Sequence, residues 1–129
     1  MNALCQNTLV SHLGIKVTHL AEGEVLATMP VDDRTRQPMG FLHGGASLAF
    51  AETVASIGSL LITDLEAYDI FGTQVSGNHL RSVRSGEVYA RASLLHKGRS
   101  SHLWDCTISD PRGKLIASIR VVITIVKKR

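Results

Sequence analysis

The stretch from Gly40 to Asp64, GFLHGGASLAFAETVASIGSLLITD, decides how the chain is organised. From Ala46 to Thr63 it consists mainly of Ala, Leu, Ser, Phe, Ile and Glu, residues compatible with a helix. Gly44 and Gly45 precede the first turn. The segment is apolar on nearly every face, so the helix is expected to be enclosed on most of its surface. The run from Ala46 to Ile62 is slightly short for a bilayer span. It also holds Glu52 near its centre, where an acid costs roughly 3 kcal/mol on insertion scales. A buried helix of a soluble domain, with no membrane insertion, follows. One question remains open: why this helix carries a single carboxylate.

Outward from the helix, the flanking sequence has strand character. On the N-terminal side, Gln6–Leu13 reads as a short helix stopped by Gly14, followed by strands at Ile15–Leu20 and Glu24–Val31 around a Glu22-Gly23 turn. In the second strand Val25, Ala27, Met29 and Val31 alternate with Glu24, Leu26, Thr28 and Pro30, the period of a half-buried strand. A polar loop, DDRTRQPMG, leads into the helix. On the C-terminal side, segments Gly72–Arg81, Glu87–Leu95, His102–Ser109 and Leu115–Val126 are separated by Arg84-Ser85-Gly86, Lys97-Gly98-Arg99 and Asp110-Pro111-Arg112-Gly113. The last places Asp, Pro and Gly where a type I turn favours them. Four strands joined by three short turns predict an antiparallel meander. The expected fold class is α+β: one sheet of about six strands wrapped around one central helix. Leu115–Val126 is taken as evidence of a sheet edge, and open edges favour pairing with a second subunit.

Composition narrows the function. The 129 residues suit a single domain over 1–129, large enough to bury a core without disulfides or metals. A net charge of +3 with scattered basic residues, and only 5% aromatics for stacking on bases, argues against nucleic acid. Cys5 and Cys106 lie far apart with no ligand spacing, so they read as buried or bystander thiols and no metal is expected. The N-terminal sequence lacks the basic start and apolar core of a signal peptide, which predicts a cytoplasmic protein.

Glu52 gains meaning from its neighbours. The N–H groups at Gly44 and Gly45 open a helix, whose start carries roughly half a positive charge and suits a developing oxyanion. Glu52 lies about two turns on, with Ser56 at i+4 on the same face, and His43 and Gln37 just before the helix. Taken singly, His43 is more often a capping or loop histidine, Gln37 a solvated loop residue and Ser56 a small residue that allows helix packing. Together they form a hydrolytic constellation.

The segment QPMGFLHGGASLAFAETVAS, Gln37–Ser56, resembles the motif of hotdog-fold acyl-CoA thioesterases. It is most similar to the aromatic-acyl branch that includes hydroxybenzoyl-CoA thioesterases and the dihydroxynaphthoyl-CoA thioesterases of menaquinone synthesis. The similarity continues through GNHLRSVRSGEVYARASLLHKGRSSHLWDCTISDPRGKL, Gly77–Leu115. The resemblance implies a hotdog domain, with dimers commonly paired into homotetramers and active sites at the dimer interface. It also implies hydrolysis of an aryl-type acyl-CoA to free acid and CoA with no cofactor. By position, Glu52 matches the catalytic carboxylate, acting as nucleophile or general base. The Gly44 N–H matches the oxyanion donor, His43 and Gln37 position the thioester carbonyl or leaving thiolate, and Ser56 helps orient water. An apolar setting around Glu52 would make it a stronger base.

CoA contacts are implied at His79, Leu80, Arg81 and Ser82 and in the loop His96, Lys97, Gly98, Arg99, Ser100 and Ser101. Arg81, Lys97 and Arg99 suit phosphates, and free N–H groups near Gly98, Ser100 and Ser101 suit phosphate or pantetheine. Without the resemblance, these positions read as an ordinary solvated hairpin surface. Gly72, placed at the start of its strand, is expected to admit close approach of substrate from the facing subunit. Met39, Phe50, Tyr68 and Asp69 are candidates for shaping the acyl pocket. A non-catalytic acyl-CoA sensor is the competing function. It leaves the joint presence of Glu52, His43, Gln37 and Ser56 unexplained.

Overall fold

In the computed structural model, which describes residues 1–129, strand alternation and sheet burial coincide. Along β2 (Glu24–Pro30) the residues Val25, Ala27 and Met29 face the core, and Val31 continues the series. The same two-residue period buries Val88, Ala90 and Ala92 of β4 (Glu87–Lys97) and His102, Trp104, Cys106 and Ile108 of β5 (Ser101–Ser109). With β1 (Lys16–Ala21), β3 (Tyr68–His79) and β6 (Leu115–Lys127) these strands form one antiparallel sheet in the order β1-β2-β4-β5-β6-β3. The helix α2 (Gly44–Leu61) lies in its concavity. A 3-10 turn (Asn2–Cys5) and the single turn of α1 (Leu9–His12) precede β1.

The six strands and one helix agree with the sequence, but the meander covers only β4, β5 and β6. β3 pairs with β6 along its whole length rather than with β4. The residues after His79 do not turn back tightly. The N–H groups of Leu80 and Arg81 stay on the Ile116 carbonyl. Val83 then accepts from Leu42, and Gly86 accepts from Val31. The chain therefore crosses the end of the sheet and re-enters beside β2. As a result β6 is interior, and the open edges are β1 and β3. β3 also begins four residues before Gly72, so Gly72 sits inside a strand rather than at its start. By contrast, the Asp110–Gly113 turn forms as expected: Gly113 N–H donates to the Asp110 carbonyl at 2.9 Å, and the Asp110 side chain accepts from Arg112 and Lys114.

Small residues let α2 sit close to the sheet. Ala51, Val54, Ala55 and Gly58 are buried beside Phe50. Trp104 lies directly on Gly58, where an added Cβ would come within 2.7 Å of the indole Cζ2. Next to this contact, Ser59 joins helix and sheet. It accepts from Trp104 Nε1–H at 2.9 Å and meets His102 Nδ1 at 2.8 Å. The Ser59 hydroxyl, with one donor and two lone pairs, satisfies both buried rings at once. Burial lowers the His102 pKa below the ordinary 6.5, and the charges of Lys97 and His96 lower it further. Although α2 is apolar and long enough by composition to cross a membrane, much of it is packed inside this sheet.

Two outcomes follow. Gly58→Ala gains about 1 kcal/mol of helix propensity but overpacks Trp104 at a cost of about 1–3 kcal/mol, so urea denaturation shows a net loss of up to about 2 kcal/mol. A gain in stability would mean that the indole moves aside freely. Secondly, the folded state keeps His102 neutral while the unfolded chain protonates it near 6.5. Its contribution is complete above that pH and is lost as pH falls through it toward the lower folded value. Denaturation between about pH 7.5 and about pH 5 shows this decline, and His102→Asn flattens it; an unchanged slope would remove His102 as its cause.

Candidate active site

The start of α2 leaves one strong donor unused. His43 precedes the helix with extended backbone, and its Nδ1 accepts the Gly45 N–H at 2.7 Å. Its carbonyl accepts from Ala46 and Ser47, at 3.0 and 3.2 Å. The Gly44 N–H has no acceptor within the chain and stands at the positive end of an 18-residue helix. Because Gly44 lacks a Cβ, the His79 ring comes close: a Cβ there would be 3.0 Å from Nε2.

The preceding loop supports this helix end. Arg34 binds Asp32 at 2.7 Å and holds its carboxyl at a pKa of about 2. The buried Thr35 hydroxyl donates to the Pro30 carbonyl at 2.8 Å, and the Thr35 carbonyl accepts the His43 N–H at 2.8 Å. Further along the loop, the Gln37 side-chain oxygen accepts from Met39 N–H, which leaves its NH2 as the free end. Gln37, Gly44, Ser47 and the run His79–Ser82 line a cavity of about 360 Å³. Arg84, stacked 4.2 Å over the Phe41 ring, fastens the crossing segment to one wall. Thus the structure brings Gln37, Gly44 and His79–Ser82 together. His43, in contrast, is an exposed cap and does not line the cavity.

Glu52 lies elsewhere on the same helix, about 12 Å along the axis from Gly44 at ~1.5 Å per residue. It is exposed in the single chain, so one copy does not supply the apolar setting expected of it. Its carboxyl group rests on Gly72, where a Cβ would be 2.7 Å from Glu52 Cδ. A register shift in β3 falls at this point. Gly72 therefore makes room for the carboxylate itself. Ser56 follows one turn later, as read from the spacing, and both residues line a mainly apolar cavity of about 330 Å³.

The third group is separate again. Lys97, Gly98 and Arg99 border a cavity of about 260 Å³ with Thr63 and Tyr68 at the far end of α2, about 27 Å from Gly44 along the helix axis. The two implied CoA-contact segments therefore occupy opposite ends of the molecule, because β3 ends at one end of the sheet and the β4–β5 hairpin lies at the other. His96 and Ser100 are exposed on that hairpin. The Gly98 N–H is also not free, since it closes the hairpin on the Ser101 carbonyl at 2.8 Å. Of the pocket-shaping candidates, Phe50 is fully buried in the core, Tyr68 borders the third cavity, and Asp69 faces Lys128 at 3.9 Å.

Two sets of lining residues were not read as site residues in the sequence. Ser47 lies in the Gly44 cavity, and Leu4, Cys5, Thr8 and Val10 lie beside Glu52. The latter carried a faint signal in Thr8 and Ser11, which form a reciprocal cap on α1. Cys106 is inert, with burial pushing its thiol up to about 12. No three His, Cys, Asp or Glu side chains converge to hold a metal.

Residues 39–117 match the model of the thioesterase superfamily. The proofreading thioesterase EntH of Klebsiella pneumoniae is 44% identical over 121 residues, covering 94% of this chain and 88% of that protein. Among solved structures, a mutant thioesterase from Pseudomonas aeruginosa superposes with a TM-score of 0.95 at 40% identity, covering 98% of this chain and 91% of the other. A thioesterase from Haemophilus influenzae superposes with a TM-score of 0.91 at 43% identity, covering 98% and 87%. If the role of His43 is to cap the helix, His43→Ala lowers stability by about 1 kcal/mol in urea denaturation, while His43→Asn, which also caps, recovers most of it.

Proposed function

The chain belongs to the thioesterase superfamily and is a thioester hydrolase, and from that premise we propose that it cleaves an aryl-type acyl-CoA with Glu52 supplying the attack and Gly44 the oxyanion donor. The unpaired Gly44 N–H at the start of α2 carries this proposal. A thioester carbonyl has weak resonance stabilisation, so attack is limited mainly by forming the tetrahedral oxyanion. A preorganised donor in that position contributes about 3 kcal/mol. The Glu52 carboxylate either adds to the carbonyl carbon or takes a proton from the attacking water. In the first route the Glu52–carbonyl C–O bond forms as the C–S bond breaks and CoA leaves as the thiolate, and water then hydrolyses the resulting anhydride to free acid and the Glu52 carboxylate. In the second, the water oxygen bonds to the carbonyl carbon, the C–S bond breaks, and Glu52 passes the water's proton to the CoA thiolate. The Gln37 amide and His79 flank the Gly44 donor and orient the carbonyl, while Ser56 holds water beside Glu52.

In one chain the donor and the carboxylate line different cavities. The proposal therefore includes a second copy, paired along the open β3 edge, so that Gly44 of one copy and Glu52 of the other face a single thioester. Several features of the strand support such pairing: β3 is long, exposed over most of its length, and carries exposed Phe71. Pairing would also enclose Glu52 and draw the separated basic segments toward shared sites. A broader reading, a hydrolase that clears unwanted acyl thioesters, is favoured by the relatives that bear the name proofreading thioesterase.

Thiol release is measured on dihydroxynaphthoyl-, hydroxybenzoyl-, benzoyl-, phenylacetyl- and medium-chain acyl-CoAs. Preference for one aryl group supports the aryl reading, and even rates across the panel support proofreading. Glu52→Ala loses at least about a hundredfold with its fold intact. Gly44→Pro removes the donor at the first helical position, where the backbone tolerates proline, and loses a similar factor, while Gly44→Ala, which also presses on His79 but keeps the N–H, loses much less. Mixing Glu52→Ala with Gly44→Pro restores activity if each site draws on two copies. If Glu52→Ala hydrolyses as well as the native chain, the assignment of the attacking group fails.

A further inference from the structure

The residues before β1 are built onto the helix face that bears Glu52, and nothing in the reaction described so far uses them. Asn2 clasps the backbone of β1 at two points: its side-chain NH2 donates to the Val17 carbonyl at 3.1 Å, and its oxygen accepts the Val17 N–H at 3.0 Å. The chain then reverses at Asn7, whose φ of 62° is a conformation Asn tolerates. Next, Thr8 and Ser11 cap α1 reciprocally, and the Thr8 hydroxyl bonds back to the Cys5 carbonyl. These contacts hold Leu4, Cys5 and Val10 opposite Ile57 and Leu60 of α2, with Glu52 and Ser56 at one side of the same cavity. Cys5 and Val10 are anchored against the core, but Leu4 is 78% exposed. The two-point clasp and the capped turn thus hold a bare leucine beside the reacting carboxylate.

We propose that Asn2–His12 forms the acyl-side wall of the site and that Leu4 is the residue that sets the bulk of the acyl group accepted. This rests on the assignment of Glu52 to the chemistry. The cavity suits the role in size and character. About 150 Å³ of apolar space is enough for one benzene ring, so about 330 Å³ has room for a substituted ring or a medium-length chain. The lining is mainly apolar, with Thr8 and Thr53 as its neutral polar residues beside Glu52 and Ser56, and the latter two are where the carbonyl carbon would stand.

Because Leu4 is exposed, its substitution disturbs folding little, and both directions of the size change can be made. With Leu4→Trp, the ratio of kcat/KM for the bulkiest aryl-CoA to that for a short-chain acyl-CoA falls at least about tenfold; with Leu4→Ala the ratio moves the other way. If both variants leave the ratio within about twofold of native, the wall assignment is overturned.

Cys5 provides a readout without turnover, since the Cys106 thiol is buried and held at about 12. Bound aryl-CoA on Glu52→Ala slows iodoacetamide labelling of Cys5 at least about fivefold, and Leu4→Trp removes this protection for the bulkiest acyl group. Protection together with thiol release that is undiminished in Glu52→Ala would sink the role of Glu52 while keeping the wall. Absence of protection by any acyl-CoA that is hydrolysed would sink the wall while keeping Glu52.

Discussion

Everything in this molecule depends on how closely α2 lies in the sheet. A helix that is apolar on nearly all sides has no stable exposed position, and the sheet satisfies it by curving around it. The close approach is made at Gly58, where the Trp104 indole occupies the space of a side chain, and it is extended through Ala51, Val54 and Ala55. Ser59 lies in the same contact and supplies the polar partner that Trp104 and His102 need once they are buried. Packing and polar satisfaction are therefore achieved by adjacent residues of one turn.

The same helix then distributes the chemistry along its length. Its first turn presents a free N–H, its middle presents a carboxylate and a hydroxyl, and its last turn borders the basic hairpin. A rigid rod holds these groups at fixed separations, which favours precise placement but keeps the donor and the carboxylate from lining one cavity within a single chain. An exposed edge strand lying against the carboxylate, with glycine at the point of contact, is the feature that makes completion by a second copy physically reasonable. Helix start, loop and crossing segment are also mutually supported. Asp32, Arg34 and Thr35 brace His43, and the segment after β3 closes over Phe41.

The two sides of Glu52 are built differently. Toward the sheet it meets Gly72 at van der Waals distance. Away from the sheet it faces residues from the N-terminal segment, which are held by side-chain bonds to the backbone rather than by strand pairing. A wall of that kind can change its side chains without disturbing the core, whereas the Gly72 side cannot accept even a methyl group without moving the carboxylate.

Much of the fold and part of the site were legible in the sequence. The enclosed helix followed from its lack of a polar face, β2 from alternating burial, the last hairpin from Asp110-Pro111-Arg112-Gly113, and the neighbourhoods of Gln37 with Gly44 and of Glu52 with Ser56 from their spacing on one helix and its leading loop. These are local relations, carried by period and turn chemistry over a few residues. The sequence could not say that β3 joins β6 rather than β4, since that depends on the path of residues 80–86 across the end of the sheet. From that path follow the separation of His79–Ser82 from Lys97–Arg99, the burial of β6 and the exposure of β3. His43 as a cap, Glu52 against Gly72 and the N-terminal wall were likewise decided by tertiary structure. Each is a contact between side chain and backbone, or between distant segments, and such contacts exist only once the sheet has closed around the helix.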